Sequence, residues 1–208
     1  MLRVPLDWMS SLELSDDPEF AEVLGVLLGD GCVSQFLSNG KTILEVAFTG
    51  NESEFLYYRD FVKRIIELHF PVHGRLISRG DNTTRLHFRS VKLARYLLSL
   101  GIPLGKKRDA SIPQGVIRSG LFIHFVRGFY HAEGSIYRRY SKQYAGHGRK
   151  YDHLLSLQFR CKLKTLMFGV YTGLIAMGLK PTKMSEKEWG LHISLYESAA
   201  DRTVSRTG

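Results

Sequence analysis

The chain has 208 residues, of which 44% are apolar and 24% are charged, and its 29 Lys and Arg against 20 Asp and Glu give a net charge of +9. These values are those of an ordinary globular protein of one or two domains, and they exclude a disordered chain, a collagen and a disulfide-rich miniprotein. The longest uncharged apolar run, residues 166–179, is too short to cross a bilayer, so we expect a soluble, cytoplasmic protein with no membrane partner.

The first predicted element is a helix that ends at Asp30. Asp17 is a suitable N-cap for this helix. The helix closes with the nonapeptide VLGVLLGDG, residues 23–31, in which Gly25 and Gly29 lie four positions apart. An acid at the C-terminal end of a helix is disfavoured by roughly 0.3–1 kcal/mol, because that end carries partial negative charge.

Strands and helices then alternate through the first half of the chain. A strand-like stretch reaches about Phe36, and residues 44–49 alternate apolar and polar side chains as a half-buried strand does. A helix is predicted over residues 52–70, followed by two more strands, the later of which includes residues 86–90. A further helix is predicted over residues 91–100.

The second half of the chain repeats this pattern. Residues 126–134 read VRGFYHAEG, where Gly128 and Ala132 lie four apart and Glu133 precedes a glycine as Asp30 does. Further predicted elements are strands over 135–142, 155–160 and 191–195 and a helix over 163–179. We therefore predict an α+β protein with mostly antiparallel sheets and two similar αββαββ subdomains, the first with an added helix. The predicted parts are 1–100, a Gly-, Pro- and Lys-containing linker at 101–120, and 121–208.

The small residues of the two repeated helices indicate how these helices pack. Residues four apart share one helix face, and Gly or Ala there allows two backbones to approach closely. We predict that helices 20–30 and 122–133 pack through these faces. The predicted interface residues are Gly25, Gly29, Gly128 and Ala132.

Such packing would bring the two helix-terminal acids together. Asp30 and Glu133 would lie beside each other, near the main-chain carbonyls of Gly29 and Ala132. Two carboxylates with main-chain oxygens form a hard, oxygen-only site that suits Mg²⁺. The alternative is that the small residues only relieve crowding in a core and that the acids are solvated ahead of a glycine turn.

The paired motifs resemble those of LAGLIDADG homing endonucleases in their single-chain form with two motifs, of the archaeal intron-encoded type. The likeness covers about residues 17–198 and includes the linker segment GIPLGKK at 101–107. It implies two αββαββ units packed through their first helices, with sheets that form a DNA-binding saddle. It also implies a metal-dependent double-strand break in a long DNA site that leaves short 3′ overhangs, with Mg²⁺ or Mn²⁺ as cofactor.

The resemblance also assigns residues. The last acid of each motif is the family's metal ligand, here Asp30 and Glu133. The sixth motif position, often acidic in the family, is Leu28 in one copy and His131 in the other. Further catalytic positions of the family match Lys107, with Lys106 as the alternative, and Asn51 and Lys162. Gly50 and Cys161 stand where the family often has a polar side chain.

Strand alternation places polar side chains on one face of each predicted sheet. In the segment 155–162 the apolar set is Leu155, Leu157, Phe159 and Cys161, and the opposite set is Ser156, Gln158, Arg160 and Lys162. β-Ribbons can enter the major groove, where Arg and Gln bond to base edges. The predicted DNA contacts are Thr49, Arg75, Arg79, Arg85, His87, Arg89, Tyr137, Arg139, Ser141, Ser156, Gln158, Arg160, His192 and Ser194. The alternative is an antiparallel sheet with an ordinary solvated face.

The distribution of charge favours a nucleic-acid partner. Residues 1–24 carry a balance of −5, whereas residues 25–208 carry 28 basic and 14 acidic residues, or +14. A body this basic indicates binding to a polyanion. We expect a monomeric site-specific endonuclease acting on double-stranded DNA. The main alternative is a non-cleaving splicing helper, a maturase, that binds its own intron RNA; a third is a transcription regulator with a degenerate form of the fold.

Overall fold

The structure is a computed structural model. It describes residues 17–139, 154–187 and 190–196. The predicted DNA contact Ser141 lies outside these ranges, and only the backbone of Arg139 is described. The described residues form two compact units, of which the first ends at Ala132 and the second begins at Glu133. No helix within these ranges is both long and apolar enough to span a bilayer.

The first unit contains the predicted order of helix, two strands, helix and two strands, followed by further helices. Its elements are α1 (Pro18–Asp30), β1 (Gly31–Ser38), β2 (Lys41–Asn51), α2 (Phe55–Tyr57), α3 (Arg64–His69), β3 (Arg75–Ser78), β4 (Thr83–Arg89), α4 (Val91–Ser99), α5 (Gln114–Arg118) and α6 (Phe122–Glu133), whose last residue begins the second unit. The strands form one antiparallel sheet in the order β1-β2-β4-β3.

Helix α1 passes directly into strand β1 without a loop. At its start, the Asp17 side chain accepts a hydrogen bond of 2.9 Å from the Phe20 amide, as an N-cap does. At its end, Asp30 is followed at once by Gly31, the first residue of β1. A Cβ atom at Gly31 would lie 2.8 Å from the Leu27 carbonyl oxygen, so only glycine fits this abrupt change of direction. The geometry fixes the acid at the junction of helix and sheet.

The helical segment between β2 and β3 has four parts. A 3₁₀ turn over Glu52–Glu54 leads into α2, a π-helical turn spans Tyr58–Lys63, and α3 completes the segment. The helix predicted over 52–70 is therefore confirmed in extent, but it is not a regular α-helix. The wider π turn buries Tyr58 and Val62 against the sheet side of the segment.

The second unit repeats the sheet of the first. It contains β5 (Gly134–Arg139), β6 (Leu154–Cys161), α7 (Lys164–Ala176), β7 (Ser185–Lys187) and β8 (Gly190–Tyr196). Its strand order is β5-β6-β8-β7, which has the same connectivity as the first sheet. The register matches as well, because Gly31 pairs with Phe48 and Gly134 pairs with Phe159. The predicted α+β class and the internal repeat are confirmed.

The sheet of the first unit has one apolar and one polar face. Val46, Phe48, Leu86 and Phe88 are fully buried and project from the same face of β2 and β4. Helix α1 lies against this sheet and is buried along residues 20–28. The alternate positions of the paired parts of the two strands lie on the opposite face, as the sequence pattern predicts, and apart from Ala47 they carry polar side chains.

Candidate functional site

Helices α1 and α6 approach each other closely within the first unit. A Cβ atom at Gly25 would lie 2.6 Å from the Phe129 amide nitrogen, and one at Gly128 would lie 2.7 Å from the carbonyl carbon of Glu22. Neither position has room for a side chain, because the obstacle in each case is backbone. The structure therefore places these two predicted interface glycines in the contact. Gly29 and Ala132, the other two predicted interface residues, are half-buried.

A buried ion pair accompanies this contact and was not predicted. Glu22, 4% exposed on α1, accepts hydrogen bonds from the Arg127 guanidinium of α6. The Tyr57 hydroxyl donates to the other carboxylate oxygen of Glu22 at 3.0 Å, and burial together with this charge raises the pKa of Tyr57. The Tyr57 ring stacks on His131 with centroids 3.9 Å apart. A glutamate within the apolar stretch of α1 was the only sequence signal for this network.

Lys107 lies at the C-terminal end of α1. Its ammonium donates to the carbonyls of Leu28, at 2.8 Å, and of Gly29, and lies 3.5 Å from that of Leu27. The Leu27 carbonyl also accepts from the Gly31 amide at the helix C-cap. The last carbonyls of a helix have no partner within the helix, and a cation there is favoured by the helix dipole. The linker is held beside β1 by a bond of 2.7 Å from the Gly105 amide to the Val33 carbonyl. The structure thus places a predicted catalytic lysine one residue from Asp30.

Asp30 itself is half-buried and shares its surroundings with Tyr58. Burial raises the pKa of the Tyr58 hydroxyl, and the negative charges of Asp30 and Glu54 raise it further. A Cβ atom at Gly50 would lie 2.6 Å from that hydroxyl. The Tyr58 hydroxyl and the Glu54 carboxylate therefore fill the space that a polar side chain at position 50 would take. Sequence reasoning missed both groups, since they reach this place from the helical segment rather than from the strand.

Asn51 has a structural role in the same region. Its side-chain oxygen accepts hydrogen bonds from the Ser53 amide, at 2.9 Å, and the Ser53 hydroxyl, at 2.8 Å. The backbone amide of Asn51 donates to the Glu54 carboxylate at 2.9 Å, which completes a capping box. Asn51 is exposed and follows Phe48 by three positions in β2.

The second unit presents the corresponding residues in its own sheet. Glu133 is half-buried at the last position of α6, and β5 follows at once. Lys162 is exposed just beyond β6 and follows Phe159 by three positions, so by register it corresponds to Asn51. Cys161 is buried at the end of β6, opposite Leu191. Asp30 belongs to the first unit and Glu133 to the second.

The donors around Asp30 suit a hard divalent cation. They are carboxylate, carbonyl and hydroxyl oxygens, without the imidazole or thiolate ligands that favour zinc. Among the described residues, no group of three or more His, Cys, Asp or Glu side chains could hold a metal ion. Mg²⁺ is commonly held by only one or two carboxylates, with water and substrate phosphates completing its shell. The residues present therefore fit magnesium or manganese completed by a phosphate ligand.

The polar face of the first sheet is built around Glu45. This carboxylate, 4% exposed on β2, lies 2.6 Å from Arg85 Nη2, 3.0 Å from His87 Nδ1 and 3.3 Å from Arg89 Nε. Burial raises the pKa of Glu45, but hydrogen bonds from His87 and Arg89 and the charge of Arg85 lower it to a net value below the ordinary range. The carboxylate thus holds three predicted DNA contacts in one array.

The remaining predicted contacts of this sheet surround the array. Thr49 pairs with Arg85 and Arg75 pairs with His87 in the register of the strands. Both Thr49 and Arg75 are exposed, as is Arg79, which follows the last residue of β3. The polar face therefore presents basic side chains from β3 and β4 to solvent around one buried acid.

In the sheet of the second unit, burial does not follow the polarity of the side chains. Ser156 and Ser194 are fully buried and Gln158 is 4% exposed, whereas Leu155 and Leu157 are 41% and 38% exposed. Two of the buried polar side chains bond to a longer neighbour on the same sheet: Arg160 Nε donates to Gln158 at 2.8 Å, and Ser194 Oγ lies 3.1 Å from His192 Nε2.

The predicted contacts of this sheet that reach solvent are larger side chains. Arg160 is exposed, and Tyr137 and His192 are half-buried. The structure therefore places Ser156, Gln158 and Ser194 behind the other predicted contacts, and their contact with DNA stays a prediction.

The fold is that of a class of known structures. The structure is similar to solved LAGLIDADG homing endonucleases, and at these identities the likeness establishes the fold. Mesophilic variants of the homing endonuclease I-DmoI match with 20% identity over 90% of this chain and 92% of that chain, at a TM-score of 0.58. I-DmoI in complex with DNA and Mn matches with 20% identity over 90% of this chain and 93% of that chain, also at 0.58.

A second protein of the class matches equally well. The LAGLIDADG meganuclease I-AabMI bound to uncleaved DNA matches with 13% identity over 91% of this chain and 82% of that chain, at a TM-score of 0.59. No protein-family model matches the sequence, and no curated protein matches it significantly. The structural likeness extends over both units.

Proposed function

We propose that this protein is a site-specific homing endonuclease that makes a metal-dependent double-strand break in a long DNA target. The observation that carries the proposal is the repeated junction of an acid-ended helix with the first strand of a sheet. Asp30 precedes β1 and Glu133 precedes β5, and the two sheets share strand order and register. Solved structures of the same fold hold DNA together with Mn or Ca.

The chemistry follows from the residues at these junctions. Asp30 and Glu133, with the carbonyls of Gly29 and Ala132, would hold the divalent ions. Lys107 already donates to the Gly29 carbonyl, so this oxygen would bind the ion through its second lone pair. When bound, Mg²⁺ or Mn²⁺ supplies an activated water and stabilises the negative charge that develops on the scissile phosphate. Similar structures contain Mn, Mg or Ca, which supports a divalent cofactor in general and leaves magnesium itself as our proposal.

The lysines would act by charge rather than as ligands. The Lys107 ammonium is already fixed at the end of α1 and adds positive charge where the phosphate must sit. Lys162 would add positive charge in the second unit, at the position that Asn51 occupies in the first unit. Tyr58 and Glu54, which fill the space beside Gly50, would order water next to Asp30.

The polar sheet faces would bind the DNA. We propose that the exposed basic residues of the first sheet and the outward residues of the second contact bases and phosphates, and that both acids act from one monomer on the two strands. Cleavage would leave short 3′ overhangs. We also propose that the protein is encoded within an archaeal intron and acts in the cytoplasm.

A maturase is less favoured, because the similar solved structures hold DNA. Cleavage of a sequence library distinguishes the two functions even though the target sequence is not specified in advance. A library of randomised duplexes is incubated with the protein and Mg²⁺, and cleaved molecules are recovered and their ends mapped. We expect one long consensus with staggered 3′ ends. Intact DNA under Mg²⁺ and Mn²⁺ alike, with retained binding to intron RNA, would contradict the nuclease proposal.

A further inference from the structure

The last turns of the two acid-ended helices are held in different ways. On α1 the buried stretch reaches Leu28, which is fully buried at the sixth motif position. On α6, all of which the structure describes, the last buried side chain is Phe129, and His131 at the sixth motif position is exposed. Apolar burial therefore holds α1 almost to its end, whereas on α6 it stops one turn before Glu133.

A ring from another element contacts this last turn of α6. The Tyr57 ring of α2 stacks on the His131 imidazole, with centroids 3.9 Å apart and planes inclined by 7°. Tyr57 also stacks on Phe61 of its own helical segment, at 5.2 Å. Stacked planar rings attract each other beyond the area that they bury. The contact therefore ties the end of α6 to the helical segment between β2 and β3.

The Tyr57 ring is itself fixed through its hydroxyl. This hydroxyl donates to one oxygen of the Glu22 carboxylate at 3.0 Å, and the Arg127 guanidinium of α6 donates to the other oxygen. Glu22 is buried, and hydrogen bonds to a charged carboxylate are short and directional. All of these side chains belong to the first unit. The tyrosine is therefore held in a defined orientation before it meets His131.

These contacts restrain the rotation of α6 about its axis. Arg127 and His131 lie four residues apart and therefore share one helix face, so the helix is held at two points one turn apart. Glu133 follows His131 by two residues, about 200° around the helix, and moves with any rotation of the turn. At a radius of about 5 Å, a rotation of about 10° displaces a group by about 1 Å. A displacement of this size can slow an aligned reaction about a hundredfold.

We propose that Tyr57 is a positioning residue for Glu133, acting through its stack on His131. Glu22 and Arg127 hold the tyrosine in place. The role is specific to the second acid, because the matching turn of α1 is held by burial. The effect on cleavage rests on the proposed function, whereas the contact itself does not.

The contact is tested in the full chain without metal or DNA. Urea unfolding is measured for Tyr57→Leu, for His131→Ala and for the double variant. Each single variant loses the same stack, so we expect their combined effect on the unfolding equilibrium constant to be about two- to tenfold smaller than the product of the single effects. Single effects that multiply fully would overturn the proposal.

The effect on the acid is tested by following the cleavage of each DNA strand separately. The substrate is the duplex recovered from the randomised library, labelled differently on its two strands and cut in single turnover. We expect Tyr57→Leu to slow one strand about tenfold or more relative to the other, so that nicked duplex accumulates, because only the acid that ends α6 is displaced. His131→Ala should produce the same bias.

Two further variants separate positioning from other roles. His131→Phe keeps a ring for Tyr57 to stack on and should cleave both strands as the wild type does. Tyr96→Leu is the matched control, because it removes a buried ring of α4 that contacts Phe20 and Phe70 instead of α6. We expect it to lower stability without favouring either strand.

Equal slowing of both strands by Tyr57→Leu would show that the residue is merely structural and would overturn the proposal. Strand bias in His131→Phe as well as His131→Ala would assign the effect to the imidazole and overturn it too. Failure of the proposed nuclease function is seen separately, as the absence of cleavage of the library by the wild type. The unfolding measurements then still decide whether Tyr57 and His131 are coupled.

Discussion

The Lys107 ammonium donates a hydrogen bond of 2.8 Å to the carbonyl of Leu28, in the last turn of the helix that ends at Asp30. This contact joins the linker to the first motif. It offsets the partial negative charge of the helix end, where an acid would otherwise be disfavoured. It also places a fixed cation at the helix end that carries Asp30, the acid that we assign to the metal.

Replacing Lys107 with methionine should therefore slow cleavage far more than it weakens DNA binding. We expect kcat to fall about tenfold or more, since a fixed charge acts mainly on the transition state. Loss of the cation at the helix end should lower the unfolding free energy by about 0.3–1 kcal/mol. Lys106→Met is the control, because Lys106 is the adjacent exposed lysine. Equal effects of the two substitutions on kcat would remove Lys107 from the site.

The two acids can be tested without altering the shape of the site. Asp30→Asn and Glu133→Gln should each reduce cleavage by about a hundredfold or more while leaving duplex binding within a few-fold, because the amides are poor metal ligands. Asp60→Asn, an exposed acid elsewhere in the first unit, should cleave normally. Single-turnover cleavage and gel-shift binding measure the two effects. Normal cutting by either acid variant would show that the metal assignment is wrong.

Tyr58→Phe tests the hydroxyl that lies where a side chain at position 50 would be. We expect a lower kcat with KM little changed, because the hydroxyl is assigned to ordering water beside Asp30. The stability cost should be about 1 kcal/mol. Tyr96→Phe removes another hydroxyl from a buried tyrosine, in α4, and should leave kcat unchanged. The two variants are compared by steady-state kinetics and urea unfolding, and equal values of kcat would argue against Tyr58.

The helix contact predicts a strict requirement for glycine. Gly25→Ala or Gly128→Ala forces a methyl group into backbone atoms and should destabilise the fold by about 1–3 kcal/mol or more. Gly115→Ala is the matched control, since nothing lies within 4 Å of a Cβ atom there and the residue is helical. It should be neutral or stabilising by about 0.4–1 kcal/mol. Urea unfolding midpoints measure all three, and an equal response would contradict close helix packing.

Glu45 predicts an acid-dependent loss of stability. Its pKa in the folded protein lies below the ordinary value of 4.5, so its contribution is present above that pH and is lost as the pH falls through the folded-state pKa. Unfolding free energy measured between neutral pH and pH about 3 should therefore fall for the wild type. The difference between the wild type and Glu45→Gln should shrink over the same range. A difference that is constant with pH would show that the carboxylate is not held by its three cations.

Much of the fold was predictable because its signals are local. The Asp17 cap, the alternation in residues 44–49 and the acid–glycine endings of α1 and α6 lie within a few positions of the structures that they specify. Hydrophobic period and capping depend on neighbouring residues, so a single sequence carries them. The repeat then predicted two similar αββαββ subdomains with mostly antiparallel sheets.

Because these signals are local, the alternation pattern could not predict which residues of β6 are exposed. In β6 it separates Ser156 and Gln158 from Leu155 and Leu157, but it carries no information on which positions neighbouring elements cover. Exposure there depends on tertiary neighbours, such as His192 of β8, which lies beside Ser194. The leucines are consequently exposed and the small polar residues buried.

The amino-acid order by itself determined the elements, their repeat and the positions of Asp30 and Glu133 at helix ends. Tertiary structure decided which distant groups meet: Lys107 with the end of α1, Arg127 with Glu22, and Arg85, His87 and Arg89 with Glu45. These pairs lie 40 or more positions apart. A contact between such residues depends on strand register and helix packing, which no local pattern encodes, and so the electrostatics of the site arise only once the chain has folded.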